Sequence, residues 1–315
     1  MAGMENPRRV GEDSRAATDA NHAMALLGGI EAGGTKFVCA VGDRPHTIQA
    51  SISIATTTPT ETLQRVIAFF QPYALCSLGL ATFGPIDLDR ASPTYGRILS
   101  TPKLAWQGCP IVDILQTALG VTIAVDTDVN AAALAEFTYG AGQGCDPLVY
   151  LTVGTGIGGG AIIHGRPLRG RMHPEMGHML LARAPGDTRP GGCPFHQDCL
   201  EGLASGQAIR LRFGAPETLP SAHQAWDLEA SYLGQALATV ATIVSPQRLI
   251  IGGGVMHQRH LLPRTRQACA QALHGYLPWL NTPSDFETYI VAPGLGDRAG
   301  VTGALCLAES IRADG

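Results

Sequence analysis

Leu148 to Ile163 reads L-V-Y-L-T-V-G-T-G-I-G-G-G-A-I-I. An apolar run of the buried type enters a cluster of five glycines, and Ala161-Ile162-Ile163 leaves it as a second apolar run. A helix opening would make G-T-G-x-G-G-G a dinucleotide fingerprint; a following strand does not, so the segment reads as strand, glycine turn, strand. The same order occurs at Leu27 to Val41, where the turn is Gly33-Gly34. That turn lacks the G-x4-G-K-[ST] spacing of a P-loop, and no helix follows it directly. The recurrence predicts two similar halves facing each other, each offering a glycine turn to a shared ligand. Uncovered N–H groups in such turns can lie against phosphate oxygens. Taken alone, the first turn reads equally well as an ordinary tight hairpin.

Outward from these turns the chain alternates strand and helix, the pattern of an α/β sheet protein. Strands are expected at 51–54, 77–82, 121–125, 248–251 and 286–291. Helices are expected at 60–70 with Thr60 as cap, and at 111–119, 130–139, 205–213, 226–244, 260–273 and 299–312. Strand 121–125 runs into Asp126-Thr127-Asp128 just ahead of the Ala-rich helix. A carboxylate at the carboxyl end of a sheet strand is where α/β enzymes place ligands, and beside a helix N-terminus it can accept a proton. Asp126 reads as an N-cap, but two aspartates in three residues are not both needed as caps. Asp128, or its neighbour, is left for chemistry.

His173 to Glu201 begins H-P-E-M-G-H and ends C-P-F-H-Q-D-C-L-E. Cys193, His196 and Cys199 follow one another at three-residue spacing, with His178 fifteen residues before Cys193. Two thiolates and two imidazoles are the donor set of a tetrahedral zinc, and four protein ligands leave no open position. The metal is therefore expected to be structural, holding Glu175 and Glu201 in place at its two flanks.

The 315 residues carry a formal charge of −4, without the basic footprint of a nucleic-acid binder. Of the eight cysteines, several sit in apolar runs (Cys39, Cys306), so they read as buried thiols of a reducing, cytoplasmic compartment rather than a disulfide framework. No apolar run is long enough to span a bilayer. Residues 1–25 are polar and lack a signal-peptide core, and read as a disordered extension.

From Leu27 to Ala308 the chain resembles the ROK sugar kinases, and among them the bacterial fructokinases. Five segments carry the resemblance in order: GGIEAGGTKFVCAVG, DTDVNAAALAE, TVGTGIGGG, HPEMGHM and CPFHQDCLEGLASG. It implies an actin-like/hexokinase (RNase H-like) ATPase fold with two α/β domains around a central cleft. The small domain would be 26–127, with helix 299–315 packing back on it, and the large domain 128–298, with the zinc loop 173–201. It implies ATP-dependent phosphorylation of the 6-hydroxyl of D-fructose with Asp128 as general base. Asn130, Glu175, His178 and Glu201 would bind the sugar. Gly33, Gly34, Thr35 and Lys36 would form the first phosphate loop, Gly154, Thr155, Gly156 and Gly158 the second, and Gly252, Gly253 and Gly254 the adenosine side. His178, Cys193, His196 and Cys199 would hold Zn²⁺, while Mg²⁺ would come with ATP, its protein ligands unidentified. A homodimer is implied as well.

Two features depart from the common family pattern. Thr127 precedes the base where many glucokinase-type members have Asn, and Glu31 precedes the Gly-Gly turn where many members have Asp. Both favour the fructokinase branch. The rivals are another hexose kinase (glucose, mannose or N-acetylmannosamine), a sugar-responsive repressor and a catalytically dead sugar binder. The repressor reading needs a helix-turn-helix domain ahead of the fold, for which residues 1–25 are too few.

Overall fold

The computed structural model describes residues 26–101 and 103–313. The expected extension 1–25 lies outside them. The first half contains strands β1 (Leu26–Ala32), β2 (Lys36–Arg44) and β3 (Thr47–Ala55), helix α1 (Pro59–Phe70), β4 (Leu75–Thr82), α2 (Ile111–Leu119), β5 (Ile123–Thr127) and α3 (Asp128–Tyr139). The second half contains β6 (Leu148–Val153), β7 (Ile157–Ile163), β8 (Arg166–Pro167), α4 (Leu200–Ala204), α5 (Gly206–Phe213), α6 (Ala225–Ile243), β9 (Arg248–Gly252), α7 (Leu261–Leu273), α8 (Pro283–Tyr289), β10 (Ile290–Val291) and α9 (Ala299–Ala313).

These strands form two five-stranded sheets, ordered β3-β2-β1-β4-β5 and β8-β7-β6-β9-β10. In each, the first three strands are antiparallel neighbours and the last two join parallel to the central one. The two glycine turns occupy the same place in the two sheets, between the central strand and its antiparallel neighbour, as their recurrence predicts. Each sheet has its own apolar core, one around Phe37, Leu80 and Trp106, the other around Leu151, Trp226 and Leu237.

Helices α3 and α9 pack on each other between the sheets, α9 against β1 and β4, α3 against β6 and β7. Their approach requires small residues. A Cβ at Gly303 would collide with the Ala131 carbonyl, and one at Gly79 of β4 with the Ala304 carbonyl.

Several local expectations are corrected. Thr58, not Thr60, caps α1, its hydroxyl accepting from the Glu61 N–H, with Pro59 in the first turn. The strand expected at 121–125 runs two residues later, so Asp126 lies within β5. Thr127 caps α3 by accepting from the Asn130 N–H at 3.2 Å, so Asp126 is not the cap. The helix expected at 205–213 is α5, capped by Ser205, and a short helix that was not expected, α4, precedes it. Residues 286–289, expected in a strand, belong to helix α8, because Thr282 and Asp285 make a reciprocal capping box with Pro283 in the first turn. Only Ile290 and Val291 of that segment are in a strand.

Candidate active site

Asp128 is the first residue of α3, half-buried, at the end of β5. One of its oxygens accepts from the Val129 N–H at 2.9 Å. Burial pushes its carboxyl from 3.8 up to about 7, and the nearby Glu31 carboxylate pushes in the same direction. Glu31, near the end of β1, is also pushed up to about 7 by burial and by Asp297, with Lys36 opposing. Its carboxylate lies against Gly300, where any Cβ would strike it, and accepts from the Val301 N–H at the start of α9. Two acids therefore sit at the N-terminal ends of the two helices that join the sheets. Helix dipoles favour their ionised forms there, but burial outweighs them, with like charge adding from Asp297 at Glu31 and from Glu31 at Asp128.

Asp126 is fully buried and fully engaged. It accepts from the Thr127 N–H and the Asn130 amide, both at 2.8 Å, and from the Arg169 guanidinium at 2.6 Å. Asn130 therefore lies beneath the cleft floor with no exposed surface, its amide on Asp126 and its oxygen directed towards Gly160. The direct sugar contact expected of it is corrected to a supporting role. Arg169 carried no signal in the sequence. Its partner lies 43 residues away, and only the fold brings them together.

The two glutamates of the 173–201 stretch converge on this site. Burial pushes the Glu175 carboxyl up to about 7, and Glu201 and Asp128 add to the effect, so all three acids share one region. Glu201 is on α4 and accepts from the Ile157 N–H at 2.9 Å, with its oxygen 2.5 Å from where a Gly156 Cβ would be. It thus braces the second glycine turn. His173, a second residue the sequence reading passed over, is buried between Gly84 and Glu175.

His178 Nδ1, Cys193 Sγ, His196 Nδ1 and Cys199 Sγ all lie within 4.8 Å of one another. The recorded sulfur–nitrogen separations are 3.6, 3.7 and 3.8 Å. Zinc–sulfur and zinc–nitrogen bonds of about 2.3 and 2.0 Å in a tetrahedron span roughly these separations, so the donor set fits one such ion. Arg183 closes the loop around it through a double contact with Asp198, at 2.6 and 2.8 Å, between His196 and Cys199.

In the first glycine turn the Gly33 N–H closes on the Lys36 carbonyl at 3.0 Å, and Thr56 bonds back to Gly33 and Thr35. The Gly34 and Thr35 N–H groups take no part in these bonds. In the second turn Gly154 closes on Gly156 at 2.9 Å, and the first N–H groups of α5, from Gly206 and Gln207, bond to the carbonyls of Gly154 and Thr155. A cavity of about 620 Å³ opens beside it, lined by Gly154, Thr155, Gly206, Gln207, Gly254 and Val255 among others. That is within the size range of small-molecule and cofactor pockets. Of the expected Gly252–Gly254 run, Gly254 lines the cavity. Gly252 packs on Pro293, and Gly253 packs on the Val153 backbone at a φ of 94°. Gly158 lies within β7 against Val129 rather than in the turn. Gly206 and Gln207 are pocket residues that sequence reasoning missed, although G-L-A-S-G after Glu201 places them one turn beyond it.

The ROK family profile matches residues 27–311. The chain belongs to the ROK family. It is 44% identical to a fructokinase of Zymomonas mobilis over 293 residues, covering 90% of this chain and 96% of that one. It is 41% identical to a fructokinase of Streptococcus mutans, covering 91% and 99%. The ROK family glucokinase of Streptomyces griseus, solved with glucose and AMPPNP, superposes with a TM-score of 0.72 at 27% identity, covering 91% of this chain and 100% of that one. The two mixed sheets are those of the actin-like ATPase fold shared by the ROK hexokinases.

A stability consequence follows from the crowded acids. An aspartyl group whose folded-state pKa is raised holds a proton that the unfolded chain has already released. Its contribution to stability is complete below about pH 4 and is lost as pH rises towards 7. Asp128→Asn is therefore expected to raise the thermal midpoint at pH 7.5, with the gain shrinking at pH 5. Differential scanning calorimetry at both pH values checks this. A lower midpoint at pH 7.5 contradicts the burial argument.

Proposed function

We propose that the protein is an ATP-dependent fructokinase that phosphorylates the 6-hydroxyl of D-fructose, with Asp128 as general base. The observation that carries the substrate is the identity of 40–46% to several fructokinases over about nine-tenths of the chain, against 27–30% to glucokinases. The geometry supports the chemistry. Phosphoryl transfer needs positioning and charge neutralisation more than covalent help. The Gly34 and Thr35 N–H groups and the Gly154–Gly156 turn would receive the phosphates, with the adenosine in the cavity beside Gly254. Asp128 would accept the proton of the attacking hydroxyl. A carboxyl near 7 has basicity matched to that task at neutral pH. Glu175, Glu201 and His178 would fix the other hydroxyls, and a sugar that leaves such groups unpaired is rejected strongly. The two halves would close over both substrates and exclude water. Charge neutralisation at the transferring phosphate would be supplied by the Mg²⁺ that accompanies ATP.

Zinc is part of the same reading. His178, Cys193, His196 and Cys199 would hold one ion that anchors α4, and through it Glu201 and the second turn. Metal binding of this kind is coupled to folding. The purified protein is expected to contain about one zinc per chain by atomic emission. Cys193→Ser should lose it and lower the thermal midpoint. A metal-free protein with an unchanged midpoint would remove zinc from the account.

The test of the activity is ATP-dependent ADP release against fructose, glucose, mannose and N-acetylmannosamine. Fructose is expected to give a kcat/KM at least about tenfold above the others. A higher value for another hexose would keep the mechanism and overturn the substrate. No turnover on any of them would overturn the kinase reading.

A further inference from the structure

Among the described residues, the Glu175 carboxylate faces a single polar partner, His173, whose Nδ1 is 3.4 Å from Glu175 Oε1. The other ring nitrogen of His173 reaches the opposite half of the molecule. Its Nε2 accepts the Ile86 N–H at 3.4 Å, across 87 residues of sequence. Ile86 belongs to the segment that follows β4 and is itself buried, paired with Ile98. Gly84 flanks the ring on the same side, where an added Cβ would stand 3.3 Å from Cε1. The imidazole is thus buried between a loop of the first sheet and the segment that carries Glu175.

These contacts fix the chemistry of the ring. An imidazole that accepts at Nε2 and is neutral carries its proton on Nδ1. Burial holds its pKa below the usual histidine value, with a hydrogen bond to the Pro174 carbonyl and the Asp126 carboxylate opposing it and Arg169 adding to it, so the neutral ring is the form present at pH 7. The Nδ1–H, which also has the Pro174 carbonyl as an acceptor, then lies 3.4 Å from the Glu175 carboxylate, a glutamate that nothing else among the described residues orients. Glu175 is 39% exposed at its side chain and would otherwise sample several rotamers.

We propose that His173 is a positioning residue for the sugar site: its Nδ1–H aims the Glu175 carboxylate at a sugar hydroxyl, and its Nε2 keys that aim to the position of the Ile86 loop of the other sheet. The inference rests on the reading of Glu175 as a sugar contact. The Nδ1–Glu175 contact is long without substrate, and such contacts tighten when the substrate arrives. Sugar binding and the placement of the 83–99 segment are then linked through one ring. His173 itself touches neither sugar nor phosphate.

Asn and Gln separate its two functions, since an Asn side chain places its amide near Nδ1 and a Gln side chain places it near Nε2. Steady-state kinetics on the full chain, with fructose and ATP varied separately, are the test. His173→Gln should raise KM for fructose about tenfold, the scale of losing a supporting contact behind a binding group. KM for ATP should stay within about twofold. His173→Asn should recover most of the loss. In a Glu175→Gln background, His173→Gln should add nothing further, because its effect runs through Glu175. If Glu175→Gln raises KM for fructose and His173→Gln does not, or if Gln is tolerated better than Asn, the proposal is overturned. If Glu175→Gln itself leaves KM unchanged, the sugar-contact reading fails first and takes the proposal with it. Independently of any variant's folding, ¹⁵N-histidine NMR of the unaltered protein should show His173 as the Nδ1–H tautomer with fructose bound. An Nε2–H tautomer would overturn it.

Discussion

Helices α3 and α9 lie between the two sheets, and their spacing is set by backbone against backbone at Gly303 and Ala131. From that contact the site's layout follows. The N-terminus of α3 presents Asp128, and the N-terminus of α9 receives Glu31 from β1. Glu136, fully buried on α3, accepts from the N–H groups of Ala141, Gly294 and Leu295 and so fixes the turn that leads into α9. A side chain at Gly303 would spread the helices and move Glu31 away from Asp128, whose pKa it now raises. Catalytic geometry and interior packing are here one constraint, and the cost of holding buried carboxylates is met by the rest of the fold.

The second constraint is the metal loop. It has little apolar substance of its own, and Leu180 and Phe195 on it are largely exposed. Four donor atoms within 4.8 Å, together with the Arg183–Asp198 pair, take the place of a core there. Because Cys199 is followed directly by α4, and Ser205 links α4 to α5, the order that an ion held there would impose would pass to Glu201 and then to Gly206 and Gln207 on the second turn. The loop therefore bears on the second glycine turn as well as on Glu175 and Glu201.

Much of this was legible in the sequence because the signals are local. Glycine turns between apolar runs, the Cys/His spacing and the strand-end aspartates are each contained in one short stretch, the longest running from His178 to Cys199. What was misread also has local causes. The run F-E-T-Y-I-V has strand composition, but the capping box at Thr282–Asp285 starts a helix before it. Asp126 looks like a cap until Thr127 is seen to take that place. What was missed is long-range. Arg169 meets Asp126, and His173 meets Ile86, only where the two sheets come together in the folded chain. No periodicity or spacing encodes those pairs.

The account centres on one carboxylate doing the chemistry at the junction of the two helices. Single-turnover phosphoryl transfer by Asp128→Asn, with fructose affinity measured calorimetrically on the same preparation, tests it most directly. The account predicts a loss of at least about 10²–10³-fold in the transfer rate, the scale of removing a general base, with fructose affinity changed only a few-fold. Transfer at close to the unaltered rate would contradict it.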